Sequence, residues 1–132
     1  MEESLTMLRS YVVRLRTYAE ISLEDLSADI DKQFAAKHTL QLAVERVKDI
    51  TDVLVGRPTG DRGRATRLVD ATVIPDSKRS CFDALVCLRD RLVHEYEFVS
   101  VNAAYKALQY APDRLDEFAS SVIQFLKKEG VE

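Results

Sequence analysis

From Val101 to Phe125 the apolar residues recur at alternating steps of three and four: Val101, Ala104, Leu108, Ala111, Leu115, Phe118, Val122 and Phe125. A strand would alternate every second residue, so only a helix lines these side chains along one seam. Pro112 falls inside the seam without shifting its phase, which predicts a kink near Ala111 in preference to a break. A seam this long must be covered by other helices. Leu5, Leu8, Val12, Leu15 and Ala19 repeat the spacing near the start of the chain. From about Asp31, Ala36, Leu40, Ala43, Val47, Ile50 and Leu54 form another seam, which Gly56 and then Arg57-Pro58 should stop.

Shorter signals fill the gaps. Ser22-Leu23-Glu24-Asp25 has a capping hydroxyl with an acid three residues later, so a short segment is predicted from Leu23 to Ser27. A weak helix is expected from Ala65 to Val69, and Pro75-Asp76-Ser77 should start a longer one that runs to about Glu95. Only 4 Gly and 3 Pro occur in 132 residues, too few turns for a sandwich or barrel. Four principal helices of similar length with short connections predict an all-α, up-down four-helix bundle with a short extra helical segment. It is expected as a single domain over residues 1–132.

Several functions are excluded by what the chain lacks. With 19 Lys plus Arg against 22 Asp plus Glu, a net charge of −3, it cannot coat nucleic acid by bulk charge. Any contact with nucleic acid must rest on a local site. No apolar run approaches the roughly 18 residues of a membrane span. Met1-Glu2-Glu3-Ser4 is acidic where a signal peptide would be basic, so a cytoplasmic location is expected. Cys81 and Cys87 lie on one predicted helix, about 9 Å apart along its axis, and are read as two buried small hydrophobes in a reducing compartment. Two cysteines do not make a zinc site, and no ligand cluster for Mg²⁺ or Zn²⁺ is evident.

The penultimate helix asks for a functional reason. Residues placed every 100° put Cys81, Leu92, Leu85, Tyr96, Phe82, Val93 and Val86 on one apolar arc, with Arg89 in its middle. An arginine there needs a buried carboxylate, a cleft or a covering partner. His94 lies on the opposite, polar side, one turn after Asp90, which would orient or charge the imidazole. His38 has no such neighbours and reads as packing or surface. Arg57, Arg62, Arg64 and Arg67 cluster in and after the glycine-containing loop; with Arg91 they form either solvated surface or a local positive patch for nucleic acid.

Arg89-Asp90-Arg91-Leu92-Val93-His94-Glu95-Tyr96 is an R-x4-H-x-Y arrangement. It resembles the signature of the HEPN superfamily, and more closely the HepT toxins of HepT/MntA toxin–antitoxin pairs. Leu23-Glu24-Asp25-Leu26, the helix Leu40 to Glu45 with Asp49-Ile50, Val73-Ile74 before the motif and Val99 to Leu108 after it follow the family's order, so the resemblance covers nearly the whole chain. It implies a metal-independent endoribonuclease without a cofactor, the toxin of a type VII toxin–antitoxin system. By resemblance Arg89 would bind the scissile phosphate and stabilise charge growing there, and His94 would transfer the proton of the 2′-hydroxyl or leaving oxygen. Asp90, where the family usually has a polar residue, often Asn, would orient the site.

On a regular helix Arg89 and His94 point about 140° apart, so either the helix distorts or a second copy completes the site. HEPN proteins are typically homodimers with paired motifs at the interface, which implies a homodimer here. The resemblance also implies a nucleotidyltransferase antitoxin of the MntA type that transfers AMP to Tyr96 and silences the toxin. The alternatives are a non-catalytic HEPN subunit that presents substrate to that nucleotidyltransferase or regulates it, and an inert helical interaction module.

Overall fold

The computed structural model describes residues 1–57, 63–94 and 99–130. In chain order these form α1 (Glu2–Ala19), α2 (Leu23–Ala28), α3 (Ile30–Val55), α4 (Arg64–Asp70), a 3-10 turn (Asp76–Lys78), α5 (Arg79–His94) and α6 (Val101–Lys128). Among the described residues there is no strand.

Short polar side chains decide where three helices start. Ser22 Oγ accepts the Asp25 N–H, Asp29 Oδ1 the Lys32 N–H and Ser100 Oγ the Ala103 N–H, each at 3.1 Å. Each satisfies one of the amides that a first helical turn leaves without a partner. Asp29→Ala should therefore lower stability by about 1 kcal/mol, read as a lower urea midpoint at unchanged slope. At the other end of α3, Gly56 sits at φ +78° and its N–H bonds to the Asp52 carbonyl at 2.9 Å. An added Cβ there would stand 3.2 Å from the Arg67 guanidinium, so glycine suits this stop twice over.

The seams read from the sequence are the core. Leu8 and Leu15 of α1, Leu40, Ala43, Val44 and Val47 of α3, and Leu108, Ala111 and Leu115 of α6 are all essentially removed from solvent. Buried residues of all six helices join in one apolar cluster. α1, α3 and α6 pack extensively on one another, whereas α5 lies chiefly on α3 and touches α6 little. Arg16 of α1 fastens that helix to α6 through Asp113, at 2.9 Å, and Asp116.

The structure differs from expectation in three places. The principal helices are not of similar length: α1, α3, α5 and α6 have 18, 26, 16 and 28 residues. As the unshifted phase of its seam implied, α6 runs through Pro112 without a break. Losing one helical hydrogen bond and gaining a ring clash costs about 3 kcal/mol. Burial of Leu108, Leu115, Phe118 and Val122 on the two sides contributes about 1.5–3 kcal/mol per side chain and outweighs it. Pro75 opens a 3-10 turn, because the Lys78 N–H reaches back only three residues to the Pro75 carbonyl at 3.0 Å; α5 then starts at Arg79. Cys87 is exposed and Cys81 half-buried, so the cysteines are not a buried pair. The buried side of α5 carries Phe82, Leu85, Leu88 and Leu92, and Cys87 points away from it.

Among the described residues no helix is long and apolar enough to cross a membrane.

Candidate site on the motif helix

Leu88 joins the core while Val93 is 37% exposed, so the apolar stripe of α5 is rotated from the arc expected. That rotation takes Arg89 off the middle of the stripe and onto its flank, against α3. There its side chain keeps 23% of its surface exposed. Nη2 donates to Glu45 Oε1 of α3 at 3.2 Å, and Nη1 donates to the adjoining Asp90 Oδ1 at 3.3 Å. Nε is shut off from solvent with no acceptor among the described residues. An orphan donor of this kind costs about 1–3 kcal/mol.

The sequence left a carboxylate, a cleft or a covering partner open for Arg89, and the structure supplies a carboxylate. Glu45 is that carboxylate, and it is itself held by Gln41, whose Nε2 donates to the same Oε1 at 3.1 Å. Both belong to a polar stripe on α3, Gln41, Glu45, Lys48 and Asp52. Its steps of four, three and four are the spacing already used to find the apolar seams. Counting polar residues at that period would have exposed it. At the far end of the stripe Asp52 takes Arg64 in a bidentate pair, Nε to Oδ1 at 2.8 Å and Nη2 to Oδ2 at 3.0 Å.

These two arginines are held differently. Charge-assisted N–H···O bonds run about 2.7–2.9 Å, and the fork on Asp52 comes close to that range. The bonds on Arg89 are longer, divided between two acids, and leave one donor without an acceptor among the described residues. Arg64 is tied down as a structural pair. Arg89 is held loosely enough for another oxyanion to take over its fork.

Asp90, expected beside His94, thus faces Arg89. His94 is the last residue of α5 and is exposed. It lies five positions after Arg89, about 7.5 Å along the axis and about 140° around it, and the helix stays regular between them. The distortion offered as one way to aim both at a single phosphate is absent.

The remaining arginines are placed as follows. Arg67 donates to the Val55 carbonyl and, at 2.7 Å, to the Arg57 carbonyl, closing the end of α3. Arg57 and Arg91 are exposed, and Arg91 has a partner of its own. Arg62 and Tyr96 lie outside the described residues. His38 is exposed. A cleft of about 500 Å³ opens between the first half of α5 and the second half of α6, over Ile74, Phe82, Leu85 and Phe118, and none of Arg89, Asp90 or His94 lines it.

Comparison with known proteins points in one direction. A family model described as HepT-like, "Ribonuclease HepT-like", matches residues 1–122. The chain is also similar to a protein named "tRNA nuclease HepT" from Aphanizomenon flos-aquae (strain 2012/KM1/D3), 22% identical over 130 residues that cover 95% of this chain and 88% of the relative.

Proposed function

Because the chain belongs to the HepT-like ribonuclease family, we propose that it cleaves RNA at a site built on Arg89 and His94. The observation that carries this reading is the loose hold on Arg89. Its guanidinium is partly exposed, rests on two bonds of 3.2 and 3.3 Å, and keeps one donor without an acceptor among the described residues. A phosphodiester brings two oxyanion acceptors in the geometry that such a fork matches.

In this mechanism Arg89 binds the scissile phosphate and stabilises the charge that grows on it. His94, exposed and free to meet a 2′-hydroxyl, takes that proton or returns one to the leaving oxygen. Asp90 holds Arg89 from its own helix and acts as a positioning residue. The reading needs no metal ion, since the guanidinium supplies the positive charge. The 140° between Arg89 and His94 is resolved by a homodimer, in which the two copies of α5 face each other and His94 of one completes the site of the other. The relative's name makes tRNA the first RNA to try, and its unpaired loops offer the exposed 2′-hydroxyls that the chemistry requires.

The chain then acts as the toxin of a toxin–antitoxin pair whose partner is a nucleotidyltransferase that places AMP on Tyr96, two positions after His94 in the sequence. Added bulk and negative charge beside the motif would repel RNA. Intact-mass measurement after co-expression with a minimal nucleotidyltransferase should show one added AMP, absent in Tyr96→Phe. An unmodified chain would overturn that part of the reading. The two carboxylates on Arg89 favour a second reading, a non-catalytic subunit of the nucleotidyltransferase. Purified chain incubated with total tRNA separates the two: cleavage supports the ribonuclease, and intact tRNA with a dimer still present supports the subunit.

A further inference from the structure

Lys48 stands on the polar stripe of α3 between Glu45, three residues before it, and Asp52, four after. Those two acids hold Arg89 and Arg64, so Lys48 lies between two guanidiniums. It is half-buried, and among the described residues no carboxylate oxygen comes within 4.0 Å of its ammonium. Asp52 is bound bidentate by Arg64, and Glu45 and Asp90 are engaged by Arg89. The ammonium is pushed below its ordinary pKa, first by burial and then by the positive charges of Arg89 and Arg64; Asp90 and Asp52 oppose this. A cation kept near two others, with no carboxylate within 4.0 Å among the described residues, is an unfavourable arrangement that an anion would relieve.

We propose that Lys48 forms a second phosphate position adjoining Arg89, which takes a neighbouring phosphodiester of the RNA. The proposal rests on the ribonuclease reading above. From Glu45 to Asp52 the stripe rises about 10 Å, roughly the length of three stacked nucleotides at about 3.4 Å each. The RNA backbone runs along α3 from Arg89 past Lys48 toward Arg64. Arg89 engages the phosphate that reacts, and Lys48 sets the register of the strand beside it. Local charge of this kind lets a chain of net charge −3 hold RNA.

The test is the salt dependence of binding to a 2′-O-methyl oligoribonucleotide, which the chain can bind but not cleave through the 2′-oxygen. Lys48→Met should weaken binding about five- to tenfold at low salt and reduce the slope of log affinity against log salt by about 0.7, one contact fewer on a single strand. Lys48→Arg should restore both. With cleavable RNA the loss should fall on KM more than on kcat. Removing a cation from between two others does not threaten the fold, and a thermal melt at or above that of wild type confirms it. If Lys48→Met matches wild type in affinity and slope while Arg89→Ala abolishes cleavage, the second position is wrong and the ribonuclease reading stands. If wild type neither binds nor cuts RNA, both fall.

Discussion

Arg89→Ala should lower RNA cleavage by about 10²–10³-fold, the usual cost of removing a preorganised donor from a developing charge. His94→Ala should cost about 10²–10⁴-fold, the range for a positioned proton-transfer group. The two defects differ in kind. Without Arg89 the phosphate loses its anchor, so binding and rate both suffer. Without His94 binding persists and the chemical step fails. Arg89→Lys keeps the charge but loses the planar fork, and its activity should fall between wild type and Arg89→Ala. Mixing the two alanine variants tests the shared site. If His94 of one copy serves Arg89 of the other, the mixed dimer recovers one intact site and part of the activity that both parents lack. Gel analysis of tRNA fragments reads all four cases, with sedimentation to show that dimers persist. Full activity in Arg89→Ala would remove the basis of the mechanism.

The second large effect is on stability. Leu92, 1% exposed, lies one turn beyond Arg89 and belongs to the buried stripe of α5. Leu92→Ala should cost about 2–5 kcal/mol, from lost transfer energy plus the cavity left behind. A typical domain has only about 5–15 kcal/mol in total, so this is a large fraction. Urea denaturation should show the midpoint falling sharply, whereas Arg89→Ala, removing a part-exposed group on long bonds, should shift it little. A loss under about 1 kcal/mol at Leu92 would mean that the stripe is less closely packed than its burial indicates. Comparing the two variants separates damage to the site from damage to the fold.

Much of the fold was legible because helical periodicity is local. The seams at Leu5–Ala19, Ala36–Leu54 and Val101–Phe125 needed no knowledge of what they pack against, and Ser22 and Gly56 announced an entry and an exit within four residues of themselves. What escaped was decided at a distance or by backbone detail. Glu45 and Arg89 are 44 residues apart, so the chain shows that Arg89 needs a partner but not which acid meets it. The rotation of the α5 stripe toward Leu88 depends on how α5 settles on α3. Thr72, at φ +62°, makes a left-handed turn after α4 in a residue that seldom adopts it, and the Val73 N–H then bonds to the Leu68 carbonyl at 2.9 Å. No turn signal such as Gly or Asn marks that position. His94 was placed correctly on the polar side, since its exposure follows from the helix alone.

The tie from Arg16 to Asp113 and Asp116 joins residues separated by 97 and 100 positions. Contacts between α1 and α3 form within a short stretch of chain, but α6 can close on α1 only after nearly everything between them has been made. Bringing such distant segments together is the entropically expensive step, and it comes last as the polypeptide leaves the ribosome. Until then Arg89 and His94 already exist on the growing chain, yet the packing of α1, α3 and α6 that supports α5 does not. In the proposed mechanism, cleavage by Arg89 and His94 therefore begins only after α6 has docked.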